Sequence, residues 1–105
     1  MGKVHDTQLN NLLWHLEDAL DLEGIVVSAK EVNFLSNRRI ICQPDIVAID
    51  KRGGLYVVEY KGGDDTERRA VSQLTRANEF IDLHYGLRPR LFYVHGNNES
   101  KEIFL

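Results

Sequence analysis

Pro44-Asp45-Ile46-Val47-Ala48-Ile49-Asp50, Lys51-Arg52-Gly53-Gly54 and Leu55-Tyr56-Val57-Val58-Glu59-Tyr60-Lys61 read as two strands joined by a tight turn. Strand side chains alternate between faces, so Glu59 and Lys61 point one way and Tyr60 the other. The direction of Asp45 depends on the turn. A two-residue loop at Arg52-Gly53 pairs Asp45 with Tyr60, and because opposed residues share a face, the acid then lies on the wrong side. A three-residue loop closed by a left-handed glycine pairs Asp45 with Glu59 or Lys61 instead, and Gly53 or Gly54 takes positive φ without steric cost. An odd-length or bulged turn, or a bend at Asp45 itself, is therefore expected. Glu59 and Lys61 would then extend the apolar face of Leu55 and Val57, and Asp45 that of Val47 and Ile49.

Two acids and a lysine on one covered face need partners, because burying charge is costly and like charges held together favour a cation. Mg²⁺ takes hard oxygen ligands, usually one or two carboxylates with waters and substrate phosphate. Asp45 and Glu59 are the candidate ligands, the Tyr60 carbonyl is a third, and Mn²⁺ is expected to substitute. Such an ion offsets the charge that builds on a phosphate under in-line attack. Lys61 beside it would orient the water, stabilise developing charge or act as base. A surface hairpin with an ordinary cross-strand ion pair is the alternative for the same residues.

Pro44, Asp45, Glu59 and Lys61 match the core signature of the PD-(D/E)xK nuclease superfamily, and the chain resembles its small Holliday-junction-resolvase-like or RecB-like domains. The order of elements carries the resemblance further. Asp6 to Leu22 places Leu9, Leu12, Leu13, Leu16 and Leu20 at helical spacing, with Asp6 or Thr7 to cap the start and Gly24 to end it. Trp14 and His15 fall off that stripe. Ile25-Val26-Val27 opens a strand that continues, with interruption, through Val32-Asn33-Phe34-Leu35 before the turn at Ser36-Asn37-Arg38-Arg39. Strands from Ile40 to Asp50 and from Leu55 to Lys61 follow, and Gly62-Gly63 ends the second. Asp64 with Glu67 starts a second helix to about Leu83, with Ala70, Val71, Leu74, Ala77 and Ile81 inward. Arg90 to His95 is a further strand, and Ile103-Phe104-Leu105 a short edge strand or docked tail. Helix, three strands, helix, strand is the αβββαβ core that the resemblance implies: an α/β, restriction-endonuclease-like fold with a mixed central sheet flanked by helices, in one domain over residues 1–105. The implied activity is metal-dependent DNA cleavage, as an endonuclease on duplex or branched DNA, and a core this small is expected to grip its substrate as a homodimer.

The superfamily often carries another acid on the first helix. Glu17, beside the leucine stripe, is the preferred residue here, with Asp6 and Gln8 as alternatives. Gln73, twelve residues after Lys61, is similar to a supporting glutamine of RecB-like members, although Ala77 stands where those members have a tyrosine. Arg69, Gln73 and Arg76 form one helical stripe suited to phosphate contact. Lys51, Arg52, Arg38 and Arg39 sit in turns and would widen that footprint. Asp64, Asp65 and Glu67 read as helix-capping acids. His5, His15, His84 and His95 have no metal-ligand spacing, and no base-stacking aromatic platform of the kind that binds single-stranded RNA is expected.

Composition sets outer bounds. The 105 residues are 43% hydrophobic and 28% charged, as in ordinary globular domains. A net charge of −3 does not advertise nucleic-acid binding, although active-site acids lower the total while arginines gather locally. Cys42 is the single cysteine and reads as a buried structural thiol, which excludes an internal disulfide. No apolar run is long enough to span a bilayer, and the first residues lack a signal peptide's apolar stretch, so an intracellular, cytoplasmic location is expected. Two rivals stand beside the nuclease: a catalytically inactive domain of the same fold that binds nucleic acid or a partner protein, and an assembly protein whose hairpin acids form ion pairs only.

Overall fold

The computed structural model describes residues 3–62, 67–96 and 99–105. Its centre is a five-stranded mixed sheet in the order β1 (Ile25–Lys30), β4 (Ile46–Asp50), β5 (Leu55–Lys61), β6 (Arg90–His95), β7 (Glu99–Ile103). Strands β4 and β5 pair antiparallel, β5 and β6 parallel, and the two edges antiparallel to their neighbours. The parallel step needs a crossover, which α3 (Glu67–Tyr85) provides. Two short strands, β2 (Phe34–Ser36) and β3 (Arg39–Cys42), form a separate hairpin. The mixed sheet flanked by helices is the expected fold class.

Strand alternation divides the core in two. Ile46, Ala48, Tyr56, Val58, Tyr60, Phe92 and Val94 face Leu9, Leu12, Leu16 and Leu20 of α1 (Lys3–Trp14) and α2 (Leu16–Leu20). On the other face Val57, Leu91, Tyr93 and Ile103 meet Ala70, Leu74, Ala77 and Ile81 of α3, one turn apart along its inner stripe. Each helix thus buries its own apolar side against one face of the same sheet. Among the described residues, no helix is long and apolar enough to cross a membrane.

Several expected boundaries differ. The first helix breaks at His15, whose backbone leaves helical geometry (φ −121°, ψ 29°), and α2 ends at Asp21 in the left-handed region, three residues before Gly24. The strand expected from Ile40 to Asp50 is two strands, parted at Gln43-Pro44-Asp45, where proline removes a ladder donor. The interrupted strand after Ile25 is likewise two, separated at Glu31 (φ 54°). The last strand is Glu99–Ile103, with Phe104 and Leu105 beyond it. Helix α3 runs two residues past Leu83, to a left-handed Gly86 whose N–H donates to the Asp82 carbonyl.

Candidate metal and phosphate site

The β4–β5 turn sets the site. Asp50 N–H donates to the Gly54 carbonyl (2.9 Å), and Gly53 sits at φ 85°, which makes Lys51-Arg52-Gly53 a three-residue loop closed by a left-handed glycine. Asp50 stiffens it, its carboxylate accepting the N–H groups of Arg52 and Gly54 and the Tyr56 hydroxyl. Counting from this turn, Ile46 opposes Val58, so the next positions, Asp45 and Glu59, oppose one another. The bonded Asp50–Gly54 pair makes Asp45–Glu59 a non-bonded pair by alternation, the kind whose side chains lie closer. One position on, Pro44 has no N–H to offer the Tyr60 carbonyl, and the β4–β5 ladder ends at Ile46 opposite Val58, before Tyr60. Tyr60 N–H donates instead to Asp45 Oδ2 (2.7 Å), while Asp45 N–H donates to Glu59 Oε2 (3.0 Å). The proline ends the ladder, and the acid beside it takes over the donor the ladder abandons.

Asp45, Glu59 and Lys61 therefore meet on the α3 side of the sheet, and the Tyr60 ring packs on the other side. Glu59 is only 1% exposed, and its Oε1 has no hydrogen-bond partner among the described residues. Lys61 Nζ lies 3.9 Å from that oxygen, close enough for attraction but beyond a hydrogen bond. Burial, and then the Asp45 charge, push the Glu59 carboxyl up to about 8, with Lys61 pulling the other way. Burial and the neighbouring Asp45 thus favour the protonated form of Glu59 in the metal-free molecule. A buried oxygen left unpaired costs roughly 1–3 kcal/mol, which a cation placed there would recover. Asp45, Glu59 and a backbone carbonyl at Tyr60 are a hard-oxygen set that fits Mg²⁺ or Mn²⁺. Among the described residues no three His, Cys, Asp or Glu side chains gather as a metal cage, so two carboxylates would carry the ion and leave room for water and phosphate.

The other expected site residues divide. Glu17 is not brought to the site: its Oε2 accepts the Ile25 N–H (3.0 Å), and Ile25 pairs with Asp50 at the turn end of the sheet. Five residues of strand separate that end from Asp45, about 16 Å. Gln8 instead reaches the site end, since a side chain placed on Gly62 would meet its Oε1 at 3.1 Å and the Tyr60 hydroxyl at 3.5 Å. The Asp6 side chain, Asp64 and Asp65 lie outside the described residues. Lys51 and Arg52 belong to the far turn, a strand's length from Asp45; Lys51 N–H is held by the Gly24 carbonyl there. Arg69, Gln73 and Arg76 are exposed on α3. Arg76 is near enough to Cys42, three residues before Asp45, for its charge to oppose the burial that raises the thiol's pKa.

Two neighbours were not anticipated. The parallel register sets Tyr93 beside Glu59 and His95 beside Lys61. Their rings meet edge to face at 6.2 Å. That register depends on a crossover through α3, which no local sequence signal encodes.

No family model matches the chain, and no curated protein matches it. Among solved structures it is similar to a repair endonuclease from Pyrococcus abyssi, with 24% identity, a TM-score of 0.62 and 86% of this chain covered. The chain spans 37% of that protein's length. At this identity the likeness shows the fold: a mixed α/β sheet flanked by helices, in an arrangement that a nuclease also uses.

Proposed function

We propose that this domain hydrolyses phosphodiester bonds of DNA as a metal-dependent endonuclease of the PD-(D/E)xK type. The observation that carries the reading is the Glu59 carboxyl, buried with one unpartnered oxygen, opposite Asp45 and beside Lys61. Structural ion pairs do not require that arrangement: a hairpin acid serving only as a salt-bridge partner would be exposed or fully bonded. Asp45, Glu59 and the Tyr60 carbonyl would hold Mg²⁺ or Mn²⁺, which supplies Lewis-acid stabilisation of the phosphate under attack. Lys61, 3.9 Å from Glu59 Oε1 and not hydrogen-bonded to it, has an ammonium that can turn toward a phosphate oxygen or an attacking water. Arg69, Gln73 and Arg76 on α3 would hold the backbone without reading sequence. The similarity in fold to a repair endonuclease supports DNA as the substrate. A homodimer would double the short grip of a domain this size.

The test is a panel of labelled duplex, single-stranded, flap and four-way-junction DNAs incubated with Mg²⁺, Mn²⁺ or EDTA and with wild type or Lys61→Ala, both shown folded. Cleavage that needs the metal and vanishes with Lys61 supports the reading. Its absence on every substrate sinks it. A second reading, a non-cleaving module that binds nucleic acid or a partner protein, is favoured by one observation: Glu17 lies away from the site and Gln8 stands near it, which leaves two carboxylates among the described residues.

A further inference from the structure

The β2–β3 hairpin packs against α3. Phe34 stacks on Phe80 of α3 (centroids 5.0 Å apart, planes 23° apart), and Phe80 in turn contacts His84 at 4.3 Å. Between hairpin and helix runs a groove of about 250 Å³ lined by Ser36, Ile41, Arg76, Phe80, Leu83 and His84, with Glu79 as its single acid. That volume lies just below the range of about 300–1,000 Å³ typical of sites for drug-sized molecules, so it suits one ring system. Arg76 lines the groove and is near enough to Cys42, three residues before Asp45 in sequence, for its charge to act on the thiol. Leu83 and His84 are both exposed.

Charge surrounds the groove unevenly. Arg39 pairs across the hairpin with Ser36, a lining residue, and Arg38 beside it is held in a left-handed turn with Asn37 (φ 64° and 51°). A two-residue turn with both residues left-handed matches strand twist and keeps the hairpin stiff. Arg38, Arg39 and Arg76 form no ion pair among the described residues. Arg76 lines the groove and Arg38 and Arg39 lie in the turn beside its lining residue Ser36, against the single lining acid Glu79. An apolar and aromatic slot flanked by unpaired arginines has the two elements that single-stranded nucleic acid needs: a ring surface for the base and cations for the backbone. A paired base has no free ring face to offer such a slot.

We infer that this groove is a subsite for an unpaired nucleotide of the DNA substrate, its base seated against Phe80, His84 and Ile41 and its flanking phosphates on Arg76, Arg38 and Arg39. The inference rests on the nuclease reading for its substrate and refines it: the preferred DNA has a single-stranded segment next to the cleaved bond. The groove is built from elements distant in sequence. Its aromatic residues come from β2 and α3, and only the tertiary fold stacks them.

The experiment uses the full chain in EDTA, where cleavage cannot occur, and oligonucleotides carrying 2-aminopurine. A single-stranded oligonucleotide and a blunt duplex of equal length are titrated with wild type, His84→Ala and Ile41→Ser, both exposed positions that spare the Phe34–Phe80 contact. Loss of one stacked base should weaken single-strand binding roughly five- to a hundredfold, far more than duplex binding, and should remove the 2-aminopurine quenching seen with wild type. Equal losses on both DNAs, or quenching that survives in both variants, would overturn the subsite. So would sedimentation showing that the variants convert a dimer to a monomer while single-strand binding stays intact, because the groove would then belong to a second copy of the chain. Binding with quenching but no cleavage in Mg²⁺ would keep the subsite and remove the nuclease. Cleavage of duplex with no effect of either variant would do the reverse.

Discussion

Replacing Glu59 with Gln should stabilise the metal-free protein above neutral pH. The Glu59 carboxyl has an ordinary value of 4.5, which burial and Asp45 push up to about 8 in the folded chain. Between those values the folded state binds more protons than the unfolded state, so stability falls as pH rises through that window. At about 1.4 kcal/mol per pH unit, the span from 4.5 to about 8 caps the loss at about 5 kcal/mol. Even half of that is large beside the roughly 5–15 kcal/mol that holds a typical domain folded. Asp50, Glu102 and Cys42 act outside the window. Asp50, held low first by the Tyr56 hydroxyl, and Glu102, held low first by Arg90, act where pH falls below the carboxylate range, and burial moves Cys42 above its usual 9.0. The assay is urea denaturation in EDTA at pH 5, 6, 7 and 8, with wild type and Glu59→Gln in parallel. Wild type should lose stability across the series while the variant stays nearly level, and saturating Mg²⁺ should restore wild type at pH 8 through mass action. A flat or rising wild-type curve, or an equal decline in Glu59→Gln, would refute the reasoning.

Further predictions concern the turn, the lysine and the helix. Gly53→Ala meets open space, so its cost is that of a left-handed L-residue, roughly 1–2 kcal/mol in denaturation experiments; a neutral result would argue against the three-residue loop that sets the register. Lys61→Ala should lower kcat roughly 10²- to 10⁴-fold on whichever DNA is cleaved and leave calorimetric metal binding in place. Arg76→Gln should reduce the slope of log affinity against log salt by about 0.7–0.9, the share of one phosphate contact; an unchanged slope would remove Arg76 from the DNA path.

The site was legible where local rules suffice. Parity around Lys51-Arg52-Gly53 and a positive-φ glycine were enough to predict that Asp45 and Glu59 share a face. The leucine stripe of the first helix and the alanine-rich stripe of α3 announced the two covering layers. The sequence was misleading where a residue's role depends on which end of the sheet it reaches. Glu17 and Gln8 are both on the leucine-rich segment, yet the break at His15 leaves Glu17 bonded at the turn end and Gln8 near Gly62. Lys51 and Arg52 are near Asp45 in sequence but a full strand away in space. Tyr93, His95 and the Phe34–Phe80–His84 stack depend on pairings between distant segments, which periodicity does not reveal.

Whether Asp45 and Glu59 hold a divalent cation decides the rest. Titration calorimetry of wild type and Asp45→Asn with Mn²⁺ at pH 7, repeated in two buffers of different ionisation enthalpy, tests it most directly. One bound ion per chain is expected, with release of the proton favoured on Glu59 in the metal-free state, and loss of both signals in Asp45→Asn. No binding to wild type, or equal binding to both proteins without proton release, would contradict it.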